Sequence, residues 1–130
     1  MRMMNGEFVK YRIEKARESI KAAEVLINNN LWGSVINRLY YACYYAINAL
    51  LAVNDIEVKT HAGLKSQFSL NFIKTEKIDK RFGELFSDLF DWRYQGDYSD
   101  FFQLDEKTIV SLVNPVKEFV DTVENLIDLK

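Results

Sequence analysis

Between Glu7 and Asn29 the apolar residues Val9, Ile13, Ala16, Ile20, Ala23 and Ile27 recur at alternating steps of four and three, with Lys, Arg and Glu between them. That spacing lays them along one stripe of an amphipathic helix. Asn28-Asn29-Asn30 tolerates left-handed backbone and is expected to end it. A second helix is predicted from Leu31 to Val53, with Trp32, Leu39, Cys43, Ala46, Ile47 and Leu50 on one side. Two long helices joined so tightly run antiparallel. Asn54-Asp55 closes the second helix and a loop leads to Lys59, after which Thr60 is a candidate N-cap for a short helix carrying Leu64, Phe68 and Phe72. Lys74 to Lys77 reads as a turn. Asp79 can cap a fourth helix with Phe82, Phe86 and Leu89 in its stripe and Leu85 beside them, expected to end near Arg93, before Gly96.

In the last segment Asp105 caps and Leu104 can staple onto Ile109, and the stripe is Ile109, Leu112, Val113, Val116, Val120, Val123 and Ile127. Pro115 falls inside it and removes a backbone donor at a cost of roughly 3 kcal/mol. Because the stripe keeps its phase, one kinked helix is expected. The fold prediction is all-α: an antiparallel up-and-down bundle of four long helices plus one short helix, forming a single domain over residues 1–130.

Composition narrows the function. With 17 basic and 19 acidic side chains the net charge is −2, which argues against a dedicated duplex-DNA binder. One Cys and one His make a closed structural zinc site unlikely in chemical terms, and no metal or cofactor is expected. No apolar run is long enough for a membrane span and none resembles a secretory signal, so a cytoplasmic protein without membrane contact is expected. The charge is unevenly spread: residues 59–81 hold six basic side chains against two acidic, and residues 82–130 hold four against eleven. The basic middle, Lys59, Lys65, Lys74, Lys77, Lys80 and Arg81, suits phosphates, or serves as a solvated surface.

Three groups of residues could carry chemistry. On the second helix Ser34, Arg38, Tyr41, Tyr45 and Asn48 fall within an arc of roughly 80° at about 100° per residue, flanked by Tyr40 and Tyr44. Tyr and Arg together suit a recognition surface, so Arg38, Tyr41, Tyr45 and Asn48 are candidates for a subunit interface, most simply in a homodimer. The alternative is that neighbouring helices cover them. Arg93 continues the Phe82, Phe86, Leu89 stripe, and an inward arginine must be paired or open into a cleft. Asp97 and Asp100 are the evident partners, and the competing reading is an anion site in which Tyr94 and Tyr98 stack on a base. Finally, Lys59-Thr60-His61-Ala62-Gly63 puts His61 at a helix start, where an anion, or simply a packed imidazole, would fit.

Arg38-Leu39-Tyr40-Tyr41-Ala42-Cys43-Tyr44-Tyr45-Ala46, then Lys59-Thr60-His61-Ala62-Gly63-Leu64, then Arg93-Tyr94-Gln95-Gly96-Asp97-Tyr98 resemble small prokaryotic HEPN-domain proteins in order and spacing. The resemblance covers roughly Glu7 to Leu129. It implies a helical bundle, usually dimeric, that often pairs with a minimal nucleotidyltransferase, and in some relatives a metal-independent ribonuclease toxin. Those ribonucleases use an Arg and a His a few residues downstream. Here Arg93 matches the Arg, but Tyr98 stands five positions later and no His follows. A phenol with a pKa of about 10 exchanges protons poorly near neutrality, so cleavage of that type is not expected unless the fold carries His61 to Arg93. In toxin relatives a tyrosine near this motif can accept adenylyl groups from the partner enzyme, and the resemblance implies Tyr98 as that acceptor. The reading is a binding module for nucleotide or RNA that acts with a nucleotidyltransferase. An atypical ribonuclease toxin of a toxin–antitoxin pair (Arg93, Tyr98, His61) and a purely structural interaction protein are the alternatives.

Overall fold

A computed structural model describes the backbone of residues 2–98 and 104–128, and the side chains of residues 6–96 and 104–128. Six α-helices account for nearly all of it: α1 Arg2–Asn28, α2 Val35–Val53, α3 His61–Phe68, α4 Lys80–Tyr98, α5 Glu106–Ser111 and α6 Val113–Asp128, with no strand among the described residues. The Val9, Ile13, Ala16, Ile20 and Ala23 stripe of α1 is buried. Asn30 takes a φ of 57° where α1 ends, and a single 3-10 turn, Trp32–Ser34, precedes α2. The second helix therefore begins later than its apolar pattern suggests.

The ion pairs give the direction of the packing. Arg17 of α1 pairs with Asp121 (2.8 Å) and Glu124 of α6, while Glu24 pairs with Lys117 (2.9 Å). As numbers rise along α1 they fall along α6, so the two helices are antiparallel. Exposed pairs of this kind contribute about 0.2–1 kcal/mol each, and packing sets the fold. α2 is surrounded by α1, α3, α4 and α6. On the α4 and α6 side, Phe68, Phe82, Phe86 and Phe119 meet edge-on or tilted, with ring centroids 5.7–6.3 Å apart. Cys43 lies fully buried in the same core, and burial pushes its thiol pKa far up.

Thr60 caps α3 as expected, its Oγ1 accepting from the Gly63 N–H at 2.8 Å. A Cβ on Gly63 would approach that oxygen to 3.0 Å, which accounts for the glycine. One π-helical turn, Ser69–Ile73, prolongs α3 and keeps Phe72 in the core. Asp79 Oδ1 accepts from the Arg81 N–H at 2.9 Å at the start of α4, and Asp105 accepts from Thr108 N–H at 2.7 Å at the start of α5.

Two further boundaries differ from expectation. α4 does not stop near Arg93 but runs through Gly96 to Tyr98, so the loop supposedly turned by Gly96 is helix. One glycine costs a helix only about 1 kcal/mol, which an already packed helix absorbs. The final helix is divided at Leu112 instead of being one kinked helix. Restarting at Val113 puts Pro115 in the first turn of α6, where its missing N–H would have had no intrahelical partner.

Phe119 touches Phe68, Phe82 and Phe86 and is fully buried. Phe119→Ala is expected to lower unfolding free energy by about 3–5 kcal/mol in a urea titration. A loss below about 1 kcal/mol would mean that this cluster is not the centre of the core.

Candidate functional site

Cap geometry, a buried tyrosine and an inward arginine meet at one point. The Thr60 cap fixes the first turn of α3, and the first residue of that turn is His61. Tyr40 projects from α2 with no exposed surface, and its hydroxyl lies 2.6 Å from His61 Nδ1. Tyr40 is itself stacked on Phe86, centroids 5.5 Å apart, so the phenol is anchored in the aromatic core. His61 stacks on Tyr44 at 4.7 Å and meets Tyr41 edge-on at 5.9 Å. From α4 the Arg93 guanidinium carbon sits 5.1 Å from the Tyr40 ring centre and 5.8 Å from that of Tyr41. An arginine in the phase of a core stripe is thereby placed over π faces, which attract cations.

The charges set the protonation states. Burial, and next the Arg93 cation, hold the His61 imidazole below its ordinary pKa. Burial drives the Tyr40 phenol well above its ordinary value, against the opposing pull of Arg93. At neutral pH the site therefore has a neutral imidazole and a protonated phenol. With the phenol donating to Nδ1, the ring proton sits on Nε2 and leaves a donor at the outer edge of the ring. A guanidinium and a ring N–H together suit an oxyanion. An incoming anion would favour the imidazolium, so binding would be coupled to proton uptake.

The candidates named from sequence divide as follows. Arg93 and His61 are brought together although they lie on different helices. Tyr94 neighbours Arg93 on the last turns of α4 and is 57% exposed. Lys59 instead lines a recess of about 780 Å³ with Phe8, Asn48, Ala52, Asp55, Ile56, Glu57 and Val58. The side chains of Asp97 and Tyr98, and Asp100 entirely, lie outside the described residues. Of the α2 face, Tyr41 is folded into the site, and Arg38 bonds Asn37 Oδ1 at 2.9 Å while lying over the Tyr41 ring. Tyr45 receives Arg12 at 5.3 Å. All four residues of that face are partly buried. Sequence reasoning treated Tyr40 only as a flank of the stripe, yet it holds His61. Its phase beside Leu39 and Cys43 was the available signal.

Among the described residues no three His, Cys, Asp or Glu side chains gather as a metal site needs, and no helix is long and apolar enough to cross a membrane. The sequence profile of the HEPN domain matches residues 9–126, and the chain belongs to the HEPN family. It is similar to a Thermotoga maritima chain named "UPF0332 protein", 32% identical over 125 residues and covering 95% of each. It is also similar to two Methanocaldococcus jannaschii chains. "Putative toxin MJ0605" is 29% identical over 91% of this chain and 87% of its own length. "Putative toxin MJ0142" is 35% identical over 66% of this chain and 58% of its own length.

The His61 imidazole should titrate below about 6.5 by NMR, and Arg93→Ala should raise its pKa by removing one of the two depressing causes. Since the folded state holds this proton less firmly than the unfolded chain, the stability contribution is present above about pH 6.5 and is lost as pH falls through the folded pKa. Wild type should lose stability over that window more than His61→Gln does. Equal losses would mean that the imidazole is not held as described.

Proposed function

We propose that this HEPN-family chain is a phosphate-recognising module that binds nucleotide or RNA at Arg93 and His61. The observation that carries this reading is the convergence of the Arg93 guanidinium from α4 and the His61 ring from α3 over Tyr40 and Tyr41 of α2. Arg93 can grip phosphate oxygens as a planar fork, and His61 Nε2–H can donate to a third oxygen. The tyrosines provide flat faces beside the phosphate. Family membership brings the expectation of a minimal nucleotidyltransferase as working partner.

The same reading has the module act as a homodimer through Arg38, Tyr41, Tyr45 and Asn48. In support, these four side chains share one face of α2 and remain partly exposed, with the Arg12 guanidinium lying over the Tyr45 ring at its edge. A partly exposed face rich in Tyr and Arg suits coverage by a second copy.

A ribonuclease toxin is the second reading. The proximity of His61 to Arg93 favours it, as do the names of the two Methanocaldococcus relatives. In that reading the ring takes the other tautomer, Nδ1–H donating to the Tyr40 oxygen, so that Nε2 can accept the 2′-hydroxyl proton while Arg93 offsets charge on the phosphorus centre, in place of the downstream His that Tyr98 displaces. The chain has one histidine, so a second proton-transfer group would have to come from elsewhere.

Arg93→Lys should weaken AMP binding about tenfold by calorimetry with little loss of stability, because lysine keeps the charge and loses the fork. Wild-type affinity should also rise between about pH 8 and about pH 5.5, as the imidazole becomes charged. No AMP binding at millimolar concentration would sink the phosphate reading. Metal-free RNA cleavage lost in both His61→Ala and Arg93→Ala would promote the toxin.

Light scattering should show a dimer at tens of micromolar, a range where even a modest interface of roughly −7 kcal/mol is substantially occupied. Tyr41→Ala with Tyr45→Ala should weaken it. A monomeric wild type would remove the interface assignment.

A further inference from the structure

Beside the candidate site, α3, its π-helical extension and α4 enclose an open groove of about 420 Å³. Its lining includes Lys65, Ser66, Ser69, Leu70, Lys74 and Phe90, with two lysines and no acidic side chain. Lys65 and Ser66 of α3 and Ser69 of the π-helical turn share one face by helical spacing, and Lys65 follows His61 by four residues, one turn further along the same side. On α4, Phe90 precedes Arg93 by three residues, again one turn away. Both walls of the groove are therefore a one-turn continuation of the walls of the site. Tyr40 connects them, since its ring lies 6.2 Å from Phe90 while its hydroxyl holds His61.

The arrangement of cation and ring also repeats. Arg93 lies over Tyr40 and Tyr41 in the site, and the Lys65 ammonium lies 4.7 Å from the Phe90 ring centre in the groove. Lys65 and Lys74, like Lys10 and Lys21 on α1, take part in none of the ion pairs among the described residues, so what sets them apart is their place in one groove without a carboxylate. Two hydroxyls, Ser66 and Ser69, add donors suited to phosphate oxygens, and Leu70 is 51% exposed at the edge. A smaller recess beyond Lys65 and Ser69 contains Glu84 as well as Lys80, so the uniformly basic stretch is confined to Lys65 and Lys74.

We infer that this groove receives the nucleotide flanking the phosphate bound at Arg93 and His61, so that the ligand is single-stranded RNA and not a free mononucleotide. The inference rests on the phosphate-recognition reading above. Lys65 and Lys74 neutralise backbone phosphates, the two serine hydroxyls donate to their oxygens, and the base rests on the apolar surface of Leu70 and Phe90. Proteins that hold single strands combine a basic track with apolar or aromatic faces in this way. A duplex would instead present its charge on both strands of a wide, stiff cylinder, which a groove of this size does not span.

Fluorescence anisotropy with labelled hexa-adenylate, together with AMP followed through the His61 ring signals, separates the two claims. Hexa-adenylate should bind wild type at least about tenfold tighter than AMP, and the Lys65→Ala, Lys74→Ala double variant should lose about that factor. The slope of log affinity against log salt should shrink by about 1.4, two phosphates at about 0.7 each on a single strand. AMP binding should be unchanged in that variant, and Lys10→Ala with Lys21→Ala on α1 should alter neither ligand. Hexa-adenylate binding that survives the Lys65 and Lys74 changes, or that is no tighter than AMP, overturns the groove while leaving the Arg93 site standing. Binding lost in the lysine variant but retained in Arg93→Ala rejects the Arg93 reading, and with it the placement of the groove nucleotide beside that phosphate. Absence of hexa-adenylate binding by wild type overturns the groove, and absence of AMP binding as well overturns the Arg93 site.

Discussion

The constraint from which the rest follows is that α2 can leave only a narrow face in water. Ten of its nineteen residues are buried, over more than half of the helix's circumference, so neighbours must cover most of it. α1 and α6 cover part of it with aliphatic stripes, which need only shape. The side carrying Tyr40, Tyr41 and Tyr44 cannot be closed by aliphatic groups alone, because a buried phenol hydroxyl requires a partner. The start of α3 supplies that partner in His61, and the end of α4 covers the rings with a cation. The candidate site is thus the place where the central helix is covered by polar chemistry.

This origin explains why the site is both rigid and charged. Tyr40 is gripped by Phe86, and Phe86 by Phe68 and Phe119, so the position of His61 is referred back to the aromatic core. A binding group held by packing loses little freedom when a ligand arrives. The neutral state of the imidazole follows from the same placement, since burial and Arg93 act in one direction.

Local signals made most of the helices legible. Alternating steps of three and four marked α1, and Thr60, Asp79 and Asp105 marked three helix starts through side-chain acceptors that act within three residues. Helix ends were harder. Gly96 is a weak breaker when the preceding turns are already packed, and Pro115 is harmless once a helix restarts two residues earlier. The inward phase of Arg93 could also be read from its stripe. Its meeting with His61 could not, because that depends on how α3 is laid across α2 and α4, a matter of tertiary packing between segments thirty residues apart in sequence. For Tyr40 the phase beside Leu39 and Cys43 signals burial, but its partner His61 depends on the same tertiary packing.

Cys43 has a consequence of a different kind. It is the only thiol in the chain, it sits at the middle of the most enclosed helix, and burial keeps it protonated. A thiol reagent in solution can reach it only when α2 parts from its neighbours, so the protein contains its own clock for opening of the bundle. Labelling that is slow and rises with denaturant reports the separation of the helices themselves, without any foreign dye in the core.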